Sequence, residues 1–245
     1  MTHLYLIRHG EAITNIEPIV GGMRGDTGLS PLGVRQAEAL RNRLAATHEI
    51  AADVLLASTL PRARQTAEII APALGLPIMW EDDLQEMRVG EADGLSSDEF
   101  VRRYGAPDFA RDPYRPFAPG GESWAHFLLR VGTTLHRIAD EHDGKTIAAV
   151  CHGGVIDGAF LCFFGMSTQT SSAVEFRTHN TSITHWERRT RPNQRPCWRL
   201  AAYNDVEHLR DIDAVEHIHW EELRAKPATG ADQPAVPLPT EEPTT

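Results

Sequence analysis

The chain has 245 residues, 41% of them hydrophobic, enough for one sizeable core or at most two small ones. Its formal charge of -10 argues against a general nucleic-acid binder, and no run approaches the about 20 apolar residues that a membrane span needs. Three cysteines (Cys151, Cys162 and Cys197) without CxxC spacing, and an N-terminus whose apolar run is cut by Arg8 and His9, predict reduced thiols in a cytoplasmic protein with no nucleic-acid or membrane partner.

Taken in chain order, strand-like and helix-like segments alternate. His3–Arg8 reads as a buried strand. Ser30 opens a helical run to about Ala46, with Val34, Ala37, Leu40 and Leu44 on one stripe. Asp53–Ala57 is a second short apolar run, followed by a helix from Pro61 to about Ala73. Residues 100–117, FVRRYGAPDFARDPYRPF, form an aromatic and basic lid segment. A longer helix runs from Ser123 to about Glu141, with Phe127, Val131, Leu135 and Ile138 on one face. Lys145–Cys151 is another buried strand. Ser182–Glu187 and Trp198–Ala202 pair as a hairpin around a loop holding Pro192 and Pro196. Residues 1–225 form the body, and the Pro- and Thr-rich stretch 226–245 reads as a disordered tail. The alternation predicts an α/β fold, a three-layer α/β/α sandwich whose mostly parallel sheet is made mixed by the final hairpin. An exposed edge of that sheet leaves a homodimer open.

Four places break local rules without a local reward. The first strand ends in Arg8-His9-Gly10, at the sheet edge where α/β folds bind ligands, with Glu11 and Asn15 following. Pro61 suits a first helical position, which puts Arg62 in the first turn, where the helix dipole disfavours a cation unless an anion sits there. The loop LQEMRVGEADG, residues 84–94, carries Glu86, Glu91 and Asp93. Cys151-His152-Gly153-Gly154 repeats the strand–histidine–glycine logic of the first place and brings a second imidazole to the same sheet edge. Two histidines and two arginines form a cationic pocket suited to a phosphoryl group, whose transition state spreads charge over three oxygens. A neutral imidazole can attack phosphorus, and a carboxylic acid must protonate the leaving oxygen.

These residues, in this order, resemble the histidine phosphatase superfamily, which contains the cofactor-dependent phosphoglycerate mutases and many phosphatases. The resemblance rests on LIRHGEAITN, LSPLGVRQA, STLPRARQTA, LQEMRVGEADG, GGES and AVCHGG, and covers nearly all of the body. It implies a phosphoglycerate mutase-like fold, His9 as the phosphorylated nucleophile, and Arg8, Arg62 and His152 as the rest of the phosphate pocket. It implies Glu86 as proton donor, with Asn15 and the Gly153 amide near the phosphate, and no metal or organic cofactor. The stretch 16–28, IEPIVGGMRGDTG, departs from the family pattern, with Ile19 where many phosphatases carry Arg and Gly28 where Pro is usual; Ala92 replaces a frequent aromatic. Gly22 and Arg24 in this lip are candidate substrate contacts, and Arg88 is a further cation that would suit a charged substrate.

The expected function is hydrolysis of a small phosphate monoester through phosphohistidine. The mutase alternative is disfavoured because the segment between Glu86 and His152 is short. A silent phospho-ligand sensor is disfavoured because nucleophile and acid are both present. A metal enzyme using Asp213, Glu216, His217, His219, Glu221 and Glu222 is disfavoured because a helix would separate His217 from His219.

Overall fold

The computed structural model describes residues 1–166, 176–189 and 196–212. The expected tail at 226–245, the group from Asp213 to Glu222 and the loop around Pro192 lie outside the described residues. The elements are β1 (Thr2–Arg8), α1 (Ile13–Ile16), α2 (Pro31–Thr47), β2 (Val54–Ser58), α3 (Pro61–Leu74) and β3 (Ile78–Glu81), then α4 (Ser97–Tyr104), α5 (Trp124–Glu141), β4 (Thr146–Cys151), α6 (Gly153–Phe163), β5 (Ile183–Arg189) and β6 (Cys197–Asp205).

The six strands lie in the order β3-β2-β4-β1-β5-β6. The first four run parallel, and β5 and β6 are antiparallel to their neighbours, so the sheet is mixed as expected. The alternation of buried side chains along the central strands divides the core. Leu4, Leu6, Leu56, Ile147 and Ala149 face α5 and α6. Ile7, Leu55, Ala57, Ala148 and Val150 face α2 and α3. Strands buried on both faces read as continuous apolar runs, which is why β1, β2 and β4 stand out in the sequence.

Helix boundaries follow side-chain caps. Ser30, Ser96 and Ser123 each accept a hydrogen bond from the amide three residues on, and α2 has Pro31 in its first turn. Val34, expected on the buried stripe of α2, is 36% exposed, and Gln36 takes a buried place instead. The Gln36 side-chain oxygen accepts the Glu11 amide proton, so this buried polar group ties α2 to the loop after β1.

The chain leaves β1 towards α2 on one face and leaves β4 towards α6 on the other. The carboxyl ends of these two adjacent strands therefore open a crevice at a topological switch point. The loop after β1 packs hard on the start of α2: a Cβ on Gly33 would lie 1.9 Å from the Glu11 carbonyl oxygen. A third core cluster, Val20, Ala92, Phe100, Phe117 and Ala118, stands beside this crevice and joins the lid segment to the loop before α2.

Candidate functional site

A cavity of about 800 Å³ opens over the ends of β1 and β4. Arg8, His9, Asn15, Arg62, Glu86 and Gly153 all line it. His152 lies fully buried beside it, its ring centroid 5.1 Å from that of His9. The residues that sequence reasoning drew from four separate segments thus meet at one end of the sheet. Gly22 and Arg24 do not line the cavity. The Gly22 and Arg24 amides donate to the Asp93 carboxylate, and the Arg24 guanidinium pairs with it at 3.6 Å. Asp93 thus gathers the loop that carries both residues.

His9 is buried, and its tautomer follows from its partners. The Gly10 carbonyl oxygen, 2.6 Å from Nδ1, can only accept, so Nδ1 carries the proton. The Arg62 Nε can only donate, and it points at His9 Nε2 from 3.1 Å. His9 therefore presents an unprotonated Nε2. Burial first, then the Arg62 and Arg8 charges, hold the imidazole well below the ordinary histidine range, so it is neutral. Burial, reinforced by Arg62, His9 and Arg8, does the same to His152. The His152 Nε2 lies 2.7 Å from Ser58 Oγ, and its Nδ1 is buried with no hydrogen-bond partner among the described residues.

Arg62 sits in the first turn of α3, and the anion that this position demands is internal. Asp26, whose side chain is fully buried, pairs with Arg62 Nη1 at 2.8 Å and also accepts the Arg62 backbone amide at 3.2 Å. One carboxylate thus caps the helix and fixes the guanidinium against His9. Sequence reasoning missed Asp26; the disfavoured cation was the signal that could have prompted a search for it. It also missed Asn180, whose side-chain amide donates to the His9 carbonyl oxygen at 3.0 Å. Arg8 donates to the Thr178 carbonyl oxygen. The Asn15 side-chain oxygen accepts the Ala12 amide at 2.9 Å, which orders the short α1 at the cavity wall.

Glu86 lines the same cavity from the loop that follows β3. Its carboxylate accepts the Gly154 amide at 2.9 Å and the Met87 amide at 3.0 Å. The first of these bonds places it on the N-terminus of α6, where orphan amides and the helix dipole favour an anion. Glycine at position 154 lets the carboxylate sit there, because a Cβ would lie 2.3 Å from Glu86 Oε1 and would push it aside.

Among the described residues, His3, His185 and Glu187 form the group near enough to share a metal ion. It sits at the opposite end of β1, roughly 20 Å from His9 at the usual rise per strand residue. Glu187 is already paired with Arg199 at 2.6 Å and Arg189 at 3.3 Å, which leaves little negative charge for a cation.

Comparison with known proteins agrees with this geometry. The family model described as histidine phosphatase superfamily (branch 1) matches residues 4–205. The chain belongs to the histidine phosphatase superfamily. It is 30% identical over 223 residues to the Arabidopsis thaliana phosphoglycerate mutase-like protein 4, covering 87% of this chain and 89% of that one. It is 30% identical over 221 residues to a metal-independent phosphoserine phosphatase of the same plant, covering 88% and 87%. A solved structure of a phosphoserine phosphatase mutant from Entamoeba histolytica, in complex with phosphoserine, superposes with a TM-score of 0.66 at 26% identity, covering 85% of this chain and all of that one.

Proposed function

We propose that this histidine phosphatase hydrolyses a small phosphate monoester through a phosphohistidine on His9, without a metal or organic cofactor. The observation that carries the proposal is the neutral His9 with a lone pair on Nε2, held between Arg62 and Arg8 at the floor of the cavity and faced by Glu86. The relatives named as phosphoserine phosphatases support hydrolysis of a small phosphorylated metabolite.

In this reading the substrate phosphoryl group enters over the floor. Arg8 and Arg62 neutralise its oxygens, and the Gly153 amide at the N-terminus of α6 adds a donor. Asn15 stands at the wall beside it. His9 Nε2 attacks phosphorus; the N–P bond forms as the bond to the leaving oxygen breaks, and Glu86, which takes up a proton as the negatively charged phosphate settles beside it, gives that proton to the leaving oxygen. Water then attacks the phosphohistidine with Glu86 taking its proton, and the N–P bond breaks to release phosphate and neutral imidazole. The His152 ring lies beside His9 with its Nδ1 unpartnered among the described residues, and we assign that nitrogen to a phosphoryl oxygen in the covalent intermediate. Gly22 and Arg24 receive no role. The catalytic body is assigned to residues 1–225 and the enzyme to the cytoplasm, in keeping with its three free thiols.

Phosphate release from a panel of monoesters with chelator present, beside a phosphoglycerate mutase assay on the same sample, tests the proposal. Chelator-resistant release with negligible mutase activity supports it. Strong mutase activity with little release would overturn it in favour of phosphoryl re-delivery.

A further inference from the structure

A phosphoryl group needs only the floor of this cavity, yet its volume of about 800 Å³ is in the range that encloses a drug-sized ligand. The rest of the wall comes largely from the lid segment and its supports. Phe100 and Phe117 stack at 4.3 Å with 10° between their planes, and Phe109 lies over Trp124 at 5.4 Å and 25°. Phe100 and Phe117 are buried at 2% and 7% exposure, so these rings both hold the lid on the body and line the cavity. Val89 and Val101 complete the same wall. Because the rings support one another, the apolar surface is already built around open space.

Charge points the same way. Arg24 and Arg88, the cations that a charged substrate would call on, do not line the cavity; Arg24 is paired with Asp93 and Arg88 with Asp83. Among the described residues three arginines line the cavity, Arg8, Arg62 and Arg177, and the first two belong to the phosphate floor. Four carboxylates, Glu11, Glu17, Glu86 and Asp157, line it as well. A second anionic group on the substrate would meet a wall that, among the described residues, sets the single cation Arg177 against Glu11, Glu17 and Asp157, so its charge is negative on balance and the desolvation cost is poorly offset.

We infer that the site selects phosphate monoesters whose alcohol carries an apolar, ring-bearing group and no second anion, with Val89, Phe100, Val101, Phe109, Phe117 and Trp124 as the selecting wall. The inference rests on the phosphatase reading above and names the substrate class for the same site. Apolar burial in a formed pocket discriminates by transition-state binding, so an alcohol that reaches the wall gains in kcat/KM over one that does not.

The test uses the full chain and four unactivated esters: ethyl phosphate, 2-phenylethyl phosphate, 3-phosphoglycerate and glucose 6-phosphate. The expected result is a kcat/KM for 2-phenylethyl phosphate about thirtyfold above that for ethyl phosphate, with both anionic and sugar esters below the aromatic one. Phe109→Ala should lower the ratio of kcat/KM for 2-phenylethyl phosphate over ethyl phosphate by about tenfold, with urea unfolding of the variant as the control for folding. Val101→Arg should reverse the order of 2-phenylethyl phosphate and 3-phosphoglycerate. Equal kcat/KM for ethyl and 2-phenylethyl phosphate, or a preference for 3-phosphoglycerate or glucose 6-phosphate in the parent enzyme, overturns the inference and leaves the phosphatase reading standing. No release from any ester overturns the phosphatase reading, and this inference with it.

Discussion

Asp26→Ala isolates the ion pair that holds the phosphate pocket together. Asp26 is fully buried and Arg62 nearly so, with 2.8 Å between carboxylate and guanidinium. Removing the carboxylate leaves Arg62 buried with the acceptor nitrogen of His9 as its neighbour, and strips the α3 N-terminus of its cap. Breaking a buried ion pair by deleting one partner costs about 3–5 kcal/mol. In a chain of this length each kcal/mol corresponds to about 2–4 °C, so Tm should fall by roughly 6–20 °C. Asp26→Asn retains volume and the acceptor for the Gly28 amide, and should lose about 1–3 kcal/mol. Inorganic phosphate brings an anion back to Arg62, so it should raise the Tm of the Ala variant more than that of the parent. Urea unfolding of the two variants and thermal unfolding with and without phosphate, all at pH 8, read these three quantities. A loss below about 1 kcal/mol in Asp26→Ala, or no extra rescue by phosphate, would refute the view that Asp26 supplies the charge that positions Arg62.

Further outcomes follow from the same site. Glu86→Gln should lower kcat about 10²–10⁴-fold on alkyl phosphates but much less on p-nitrophenyl phosphate, whose leaving group needs no acid; equal losses would remove the acid role. Gly154→Ala, whose Cβ would displace the Glu86 carboxylate, should reproduce that leaving-group dependence with a loss of up to about a hundredfold, and an unchanged profile would show that Glu86 need not sit on α6. His9 and His152 are held neutral when folded, so below the unfolded histidine pKa of about 6.5 the unfolded chain binds more protons. Their stability contribution is therefore full above about pH 6.5 and is lost as pH falls, with a limiting slope of about 2.7 kcal/mol per pH unit for the pair. His208, pushed down to about 4 chiefly by burial, adds to the slope between those values. Urea midpoints at pH 7.5, 6.5 and 5.5 read this, and a flat profile would mean that the histidines are not buried neutral.

What could be read from the sequence has a common physical character. Strands β1 and β4 are buried on both faces and announce themselves as apolar runs ended by histidine and glycine. Helices α2, α3 and α5 carry either a serine cap or Pro at the first position, with an apolar stripe behind it. Strand β3 escaped because it is short, lies at the sheet edge and is half exposed, so it has no burial pattern to detect. Helix α6 escaped because Gly153 and Gly154 read as a break, whereas they open the helix and admit the Glu86 carboxylate beside its first amides. Helix α4 lay hidden inside a segment whose aromatic composition suggested only a lid. Within the site, Arg8, His9, Arg62 and His152 were visible because each violates a local preference. Asp26 and Asn180 violate none: a loop aspartate and a loop asparagine are ordinary in sequence, and only the fold brings them to Arg62 and to the His9 carbonyl. In the lip, Arg24 drew notice by its charge alone, while its partner Asp93, 69 positions away, could be found only from the fold.

The central claim is a covalent bond between His9 and phosphorus. Rapid acid-free quenching of the enzyme during turnover of an aryl phosphate, followed by peptide mass spectrometry, tests it most directly. A phosphoryl group should appear on the peptide carrying His9, at His9 and not at His152, and should disappear together with turnover in His9→Ala. Full phosphate release by His9→Ala, or a phosphoryl group found on His152 instead, would contradict it.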